Sequence, residues 1–297
     1  MSSDEENRKL LIKQHALLSD VPIIETDRKD DLKFRPTAEV LASAALYTPD
    51  PITIGVFGNW GSGKTSLMRL MMDVVKNENE AVPVWFNAWQ YEREEHLIIP
   101  LLATIAREIT KKEAGWKANV KEGGKKIHAA LRAVLYGLSM KGKLGILGIG
   151  DMEISTSMKD MIARYEALTQ DTLTVHSFYF EAFDNLRDIA HNKTIKKPKI
   201  VVFVDDLDRC FPEQAVHLLE SIKLVLHQPG FAFVLGIYPQ IIEDFILNKY
   251  AKEYHFTASK GDASDKRKCE YLDYCKEYLG KIIQVRHYVP QRKPSEM

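Results

Sequence analysis

Eight residues with the sequence GNWGSGKT, Gly58 to Thr65, follow a short apolar segment and precede a segment with helical spacing. They match the phosphate-binding pattern G-x-x-x-x-G-K-[ST] in the strand-to-helix context that the pattern requires. Glycines let the backbone curl so that its N–H groups face a phosphate, and the start of the following helix adds positive potential. A glycine-rich turn with an incidental lysine is the alternative, and the flanking strand and helix count against it.

This motif predicts that Lys64 contacts the β- and γ-phosphates of a nucleotide and that the Thr65 hydroxyl binds Mg²⁺. The residues expected to surround the phosphates are Gly58, Asn59, Trp60, Gly61, Ser62, Gly63, Lys64, Thr65 and Ser66.

A second set of chemical groups follows the apolar run IVVFV, Ile200 to Val204, as the sequence DDLD. A carboxylate at the carboxyl end of a strand complements a phosphate-binding loop, so we expect Asp205 to hold Mg²⁺ through water. Asp206 points the opposite way at a strand end and is placed to polarise or deprotonate an attacking water. Capping of the helix near Pro212 is the alternative for this cluster and is expected for Asp208. Together the two motifs predict a nucleoside triphosphatase site.

The elements that must position these residues alternate along the chain. Segments that are apolar throughout are typical of buried parallel strands, and the segments between them have helical spacing. This pattern predicts an α/β fold with a mostly parallel sheet covered by helices on both faces. Strands are expected at 52–58, 82–86, 200–204 and 231–237, and helices at 37–47, 66–75, 94–111, 158–190, 213–226 and 239–247.

The composition changes near Trp116. Gly115 to Gly150 contains eight of the sixteen glycines together with six lysines, and we interpret it as an insert or mobile connection outside the core. Its lysines could contact phosphate or acidic lipid, although a solvated surface is favoured. We therefore expect an N-terminal helix and lead-in at 1–36, the first half of the core at 37–115, an insert at 116–170 and the second half of the core, with a C-terminal helix and strand, at 171–297.

Net charge, hydropathy and cysteine count limit the classes of protein to which the sequence could belong. The 297 residues carry 41 basic and 41 acidic side chains, so net charge gives no indication of nucleic-acid binding, although it does not exclude it. The most apolar stretch, 131–150, is interrupted by Arg132, Lys141 and Lys143, and no membrane span is expected. Three cysteines are too few for a disulfide framework, and the N-terminus has no secretory pattern, so a cytoplasmic protein is expected.

Four blocks of sequence resemble the KAP family of P-loop NTPases, within the broader signal-transducing STAND-type ATPases. The blocks are PITIGVFGNWGSGKTSLMRLM, VWFNAWQYEREEHL, VVFVDDLDRCFPEQAVHLLESIKLVL with GFAFVLGI, and YLGKIIQV. The DDLDR and FNAWQYE sequences are far more specific than the phosphate-binding motif alone. The resemblance implies a three-layer α/β core, ATP and Mg²⁺, and a nucleotide-controlled switch used in signalling or, in bacteria, in phage exclusion.

The resemblance also implies roles for single residues. It assigns Lys64 and Thr65 to phosphate and Mg²⁺, Asp205 to Mg²⁺ and Asp206 to water activation. Arg209 is a candidate for stabilising transition-state charge, in the same chain or across a subunit contact, and a salt bridge to Asp205, Asp206 or Asp208 is an equal alternative. In the second block, packing is expected for Trp85, Phe86 and Trp89, whereas Asn87, Gln90, Glu92 and Arg93 could sense the γ-phosphate or a partner.

Three hypotheses about function follow. The first is an ATP-hydrolysing switch whose turnover is slow without a neighbouring subunit or a partner protein. The second is a nucleotide-bound interaction module that does not hydrolyse. The third is a small-molecule kinase; against it, no cluster of arginines typical of a lid occurs late in the chain, and DDLD supplies a water-activating carboxylate.

Overall fold

Five parallel strands form a single sheet in the order β2-β3-β4-β1-β5. A computed structural model describes residues 33–141, 172–242 and 276–290 of the chain. The expected N-terminal helix, residues 142–171, and Cys269 and Cys275 lie outside these ranges. The strands are β1 (Ile52–Phe57), β2 (Ala81–Asn87), β3 (Lys199–Asp205), β4 (Phe231–Ile237) and β5 (Val285–Tyr288).

Helices follow the strands and cover the sheet. They are α1 (Arg35–Tyr47), α2 (Lys64–Lys76), α3 (Ile98–Glu113), α4 (Ala118–Lys141), α5 (Thr172–His191) and α6 (Pro212–Ser221), which continues as a π-helical turn, Ile222–Leu226. Two short 3₁₀ turns, Ala88–Tyr91 and Leu207–Arg209, follow β2 and β3. Residues 276–282 are also helical and lead into β5.

The alternation of side chains along β3 divides the core into two clusters. Val201 and Phe203 pack on one face of the sheet against α1 and α2, whereas Val202 and Val204 pack on the other face against α3, α4 and α6. Because both faces are covered, β1, β3 and β4 are buried along nearly their whole length. The three-layer α/β fold expected from the sequence is therefore confirmed.

One expectation about the core is wrong. Within the part of Gly115 to Gly150 that the structure describes, residues 118–141 form α4, and Val120, Ile127, Leu131 and Val134 are fully buried in the larger cluster. Lys121, Lys125 and Lys126 lie on a more exposed face of the helix, which explains why the composition resembles that of a solvated segment. The limits of an insert at 116–170 stay a prediction.

No helix in the described ranges is both long enough and apolar enough to cross a lipid bilayer.

The strand order brings the two predicted motifs to one edge. After β1, the chain crosses to the edge of the sheet and forms β2 there, which leaves room for two strands between them. Strands β3 and β4 then fill that room in order, so that β4 lies between β3 and β1. The residues that follow β1 and β3 therefore meet at the carboxyl edge, where the connections diverge to opposite sides.

Candidate functional site

The loop between β1 and α2 has the backbone shape that its glycines permit. Gly61 and Gly63 have φ angles of 74° and 96°, a left-handed conformation that a side chain at Cβ disfavours. The Ser62 N–H donates to the Asn59 carbonyl (3.1 Å), and the Gly58 N–H donates to the Ile237 carbonyl of β4 (3.2 Å). The predicted phosphate-binding loop is thus a curled segment fastened to the sheet.

Two features of this loop fit a bound phosphate. The Ser62 hydroxyl is buried and has no hydrogen-bond partner among the described residues. A Cβ on Gly58 would lie 2.4 Å from that hydroxyl, so a side chain at position 58 would fill the interior of the loop. A buried donor without a partner costs about 1–3 kcal/mol, which an acceptor such as a phosphate oxygen would recover.

Lys64 curls back over the loop. Its Nζ donates to the carbonyls of Gly58 (2.9 Å) and Asn59 (3.3 Å), and it lies 3.6 Å from the Asp208 carboxylate. The Lys64 side chain is largely buried, so its charge is screened little by water. This placement agrees with the predicted role of Lys64 as the cation that faces phosphate. Ser66 lies beside it in the first turn of α2.

The two sequence motifs meet through a hydrogen bond. The Thr65 hydroxyl, in the first turn of α2, donates to both oxygens of Asp205 at 2.9 and 3.2 Å. Asp205 is the last residue of β3, and β4 separates that strand from β1. A hydroxyl and a carboxylate in contact are oxygen ligands of the kind that Mg²⁺ uses beside nucleotide phosphates.

The environment of Asp205 favours an added cation. Burial raises the pKa of this carboxyl group, and the adjacent Asp206 carboxylate raises it further, whereas the Thr65 hydrogen bond acts in the opposite direction. A divalent cation would offset both unfavourable effects. The described residues contain no group of three or more His, Cys, Asp or Glu side chains that could hold a metal. The Thr65 hydroxyl and the Asp205 carboxylate supply two oxygen donors, so an ion held there would need phosphate oxygens and water as its other ligands.

The Asp206 carboxylate contacts Asn87 and Arg209. It accepts a hydrogen bond from Asn87 Nδ2 (2.8 Å) and lies 2.8 Å from Arg209 Nε. The residue has a φ angle of 54°, so the backbone turns sharply where β3 ends. Of the alternatives for Arg209, the structure contains the salt bridge to Asp206; a charge-stabilising role in turnover stays a prediction.

Asp208 does not cap the following helix. Phe211 occupies the N-cap position of α6 without a side-chain hydrogen bond, so the capping expectation is wrong. Instead the buried Asp208 carboxylate accepts a hydrogen bond from Trp60 Nε1 (2.9 Å) and pairs with Lys64. Capping failed as an explanation because the 3₁₀ turn, Leu207–Arg209, directs Asp208 back toward the loop.

Aromatic side chains surround the mouth of the site. Trp60 is 64% exposed and lies 5.9 Å, between ring centroids, from Tyr238. Trp89 is 46% exposed, and the Arg209 guanidinium lies 5.2 Å from its ring centroid. Phe86 is buried and stacks on Tyr91, and Trp85 stacks on Phe203, so the packing expected for Phe86 and Trp85 is confirmed, whereas the exposed Trp89 does not pack in the core.

Two functional contacts escaped the sequence analysis. The Asn87–Asp206 hydrogen bond joins the ends of β2 and β3, and the Trp60–Asp208 hydrogen bond joins the phosphate-binding loop to the DDLDR segment. A signal for the first was present, because Asn87 is a polar residue directly after an apolar strand. No comparable signal indicated the second, since it depends on the turn after Asp206.

Cys210 lies beside the carboxylates without forming a nucleophilic centre. Burial, together with Glu92, Asp206 and Asp208, raises the pKa of its thiol to about 12. The thiol is therefore protonated at neutral pH, and only a thiolate is an effective nucleophile. The ionisable chemistry of this edge belongs to the aspartates, Lys64 and Arg209.

A parallel α/β sheet, a glycine-rich phosphate loop at the start of a helix and an aspartate at the end of a nearby strand together define a P-loop NTPase. The family model described as the KAP family P-loop domain matches residues 34–297. The chain belongs to the KAP family of P-loop NTPases, which implies nucleotide binding and hydrolysis as its class of activity. A comparison with curated proteins finds no significant match.

Proposed function

We propose that this protein is a Mg²⁺-dependent, ATP-hydrolysing molecular switch of the KAP type that acts in signalling or in bacterial antiphage defence. The observation that carries the proposal is the contact between Thr65 and Asp205, which joins the phosphate-binding loop to the carboxylate strand. ATP, rather than GTP, and the biological setting are inferred from the family resemblance.

The loop and Lys64 would bind the nucleotide. The loop backbone curls at Gly61 and Gly63, just before α2 begins at Lys64. The backbone N–H groups of these three residues would bind the phosphates, and the start of the helix adds positive potential. The Lys64 ammonium, which is bonded to two loop carbonyls, would take the β- and γ-phosphates as partners. The Ser62 hydroxyl is an additional donor inside the loop.

Thr65 and Asp205 would hold Mg²⁺, Thr65 directly and Asp205 through water. The ion, when bound, neutralises negative charge on the phosphates and offsets the repulsion between Asp205 and Asp206. The protein contributes ligands that are already in contact with one another, so little rearrangement is needed to bind the ion.

Asp206 would accept the proton of the attacking water. A general base needs a carboxylate oxygen that can accept a hydrogen bond from the water, and each Asp206 oxygen has a second lone pair besides its contact with Asn87 or Arg209. Arg209, bonded to Asp206 and half-exposed, is placed to stabilise charge or to respond to a neighbouring molecule. Turnover by the isolated chain is expected to be slow and to rise with assembly into a homo-oligomer or with a partner protein.

The test is phosphate release from Mg·ATP and Mg·GTP across a series of protein concentrations, with Lys64→Ala as the blank. We expect release above the blank with Mg·ATP, and a rate per molecule that rises with concentration if subunits complete the site. Bound ATP without release above the blank would instead indicate a non-hydrolysing interaction module. Release that requires an added acceptor would indicate a kinase.

A further inference from the structure

The segment after β2 contacts the proposed general base directly. Asn87 ends β2 opposite Asp205 in the parallel register, and its Nδ2 donates to Asp206 Oδ2 at 2.8 Å. On the other side, Arg209 Nε lies 2.8 Å from Asp206 Oδ1. Each carboxylate oxygen of Asp206 therefore has its own donor, and the two donors come from different parts of the chain.

The amide of Asn87 is itself held in place. Its Oδ1 accepts a hydrogen bond from the Gln90 N–H at 3.3 Å, which caps the 3₁₀ turn Ala88–Tyr91. With the oxygen committed to the turn, the NH₂ group points at Asp206. The orientation of the donor is thus fixed by the backbone of the FNAWQYE block, to which the proposed function assigns no role.

Asp206 needs such support because its backbone is in an uncommon conformation. A non-glycine residue with a φ of 54° persists only where its surroundings determine it, and residues of this kind cluster at functional sites. Backbone hydrogen bonding contributes, since the Arg209 N–H donates to the Asp206 carbonyl at 3.2 Å. The side chain of Asn87 adds a constraint at the carboxylate itself.

We propose that Asn87 is a positioning residue that fixes the carboxylate of Asp206 in the orientation required to activate the attacking water. This inference rests on the proposed function and names a residue on which that reaction depends. An amide suits the task, because it donates a hydrogen bond without adding charge that would compete for the proton. A displaced general base lowers turnover strongly even when substrate still binds.

The structure permits a graded set of variants. Asn87→Ser retains a side-chain acceptor for the turn but replaces the amide donor to Asp206 with a shorter hydroxyl group. Asn87→Asp preserves size and the acceptor for the turn, and it places a carboxylate against the Asp206 carboxylate. Asn77→Ser is the matched control, because Asn77 is an exposed asparagine at the carboxyl end of α2 and has no contact with Asp206 among the described residues.

Phosphate release at saturating Mg·ATP and the Kd for Mg·ATP are measured on all three. We expect Asn87→Ser to lower kcat about tenfold and Asn87→Asp to lower it about a hundredfold, with Kd changed less than about threefold. Asn77→Ser should match wild type in both quantities. Wild-type kcat in both Asn87 variants would overturn the inference, as would a loss that follows Kd or the folded fraction.

A double variant tests the hydrogen bond between Asn87 and Asp206 without relying on turnover. In Asn87→Asp/Asp206→Asn the amide and the carboxylate exchange places, so their hydrogen bond can reform while the proposed base moves to the wrong strand. We expect its urea unfolding midpoint to recover toward wild type relative to Asn87→Asp, while phosphate release stays lost. No recovery of the midpoint would overturn the contact, and recovery of full turnover would overturn the assignment of Asp206.

The two failures are distinguishable. Wild-type protein that binds Mg·ATP but releases no phosphate above the Lys64→Ala blank overturns the proposed function, and with it any role of Asn87 in turnover. Wild-type turnover that is unaffected by Asn87→Ser and Asn87→Asp overturns the Asn87 inference alone.

Discussion

Strand β3 begins with a half-buried ammonium group, Lys199, and ends with a buried carboxylate, Asp205. At the amino end, Lys199 donates to the Thr48 carbonyl (2.7 Å), and burial lowers the pKa of its ammonium to about 8, with Asp50 acting in the opposite direction. At the carboxyl end, Asp205 is buried beside other carboxylates, which raises its pKa. Burial is the main cause of both pKa shifts, and neighbouring carboxylates add to it at Asp205.

We infer from this difference that the charge of Lys199 is structural, whereas the charges around Asp205 serve to bind a ligand. The lone ammonium of Lys199 is satisfied by a backbone carbonyl and needs nothing from outside the chain. The opposite edge gathers three aspartates around two cations, Lys64 and Arg209, together with a buried hydroxyl that has no partner in the described part of the chain. A ligand that brings both a cation and phosphate oxygens would complete that edge.

Substitution of Asp205 should give the largest difference in phosphate release between variants at the two ends of β3. Asp205→Asn removes the proposed Mg²⁺ carboxylate and should lower phosphate release by at least about 10³-fold. Asp50→Asn, an exposed carboxylate at the amino edge, is the control and should leave release unchanged. Equal activity of Asp205→Asn and wild type would remove the functional distinction between the edges.

The same Asp205→Asn variant should be more stable than wild type without nucleotide. A carboxyl group whose pKa is raised on folding binds more protons in the folded state, so stability falls as pH rises above its ordinary value of 3.8. The asparagine removes that penalty at neutral pH and retains an acceptor for Thr65. We expect a melting temperature about 2 °C higher, measured by calorimetry without Mg²⁺. A lower melting temperature would mean that the Asp205 charge stabilises the fold.

The middle of β3 should affect stability alone. Phe203 is fully buried and stacks on Trp85, so Phe203→Ala should lower the free energy of unfolding by about 3–5 kcal/mol in urea titrations. Phe211 is 63% exposed, and Phe211→Ala should change it by less than about 0.5 kcal/mol. The Kd of the folded Phe203→Ala protein for Mg·ATP should match wild type. A weakened Kd would show that the core also determines the geometry of the edge.

Within the carboxyl edge, Asp208 is expected to weaken nucleotide binding. Its carboxylate pairs with Lys64, the cation assigned to phosphate, and would repel a bound phosphate. Asp208→Asn should therefore tighten Mg·ATP binding about threefold to tenfold, measured by calorimetric titration. Glu213→Gln, at the exposed start of α6, serves as the control. Weaker binding in Asp208→Asn would mean that Asp208 orients Lys64 toward the phosphates.

The smallest effect is expected at the amino edge. Because the pKa of Lys199 lies near 8 in the folded protein and near 10.5 in the unfolded chain, the unfolded state binds more protons between these values. Stability should therefore rise between pH 8 and 10.5, and Lys199→Met should reduce that rise. Urea unfolding at pH 7.5 and 9.5 provides the measurement, with exposed Lys193→Met as the control. If Lys199→Met gained as much stability as wild type between pH 7.5 and 9.5, the pH dependence would not arise from Lys199.

The sheet could be predicted closely because its strands are apolar throughout. The strand expected at 231–237 coincides with β4, and the expected strands at 82–86 and 200–204 fall within β2 and β3. Local residue types also indicated the loop after β1 and the aspartates after β3. These features depend on neighbours in the sequence, and a single sequence contains that information.

Residues 115–141 show why the rest was harder to predict. Gly123 and Gly124 suggested a loop, yet both lie within α4 at points of close contact. A Cβ on Gly123 would lie 2.1 Å from the Lys196 carbonyl oxygen, and one on Gly124 would lie 2.2 Å from the Trp116 ring. The reason for glycine at position 123 is a neighbour distant in sequence, and at position 124 it is a ring that packs back from the preceding turn; composition reveals neither contact.

The most direct test of the central claim compares wild type with Asp206→Asn at saturating Mg·ATP. We propose that the carboxyl edge binds nucleotide through the loop and hydrolyses it through Asp206. We predict that wild type releases phosphate, whereas Asp206→Asn binds Mg·ATP with a similar Kd and releases phosphate at least about a hundredfold more slowly. Wild-type rates in Asp206→Asn would contradict the account.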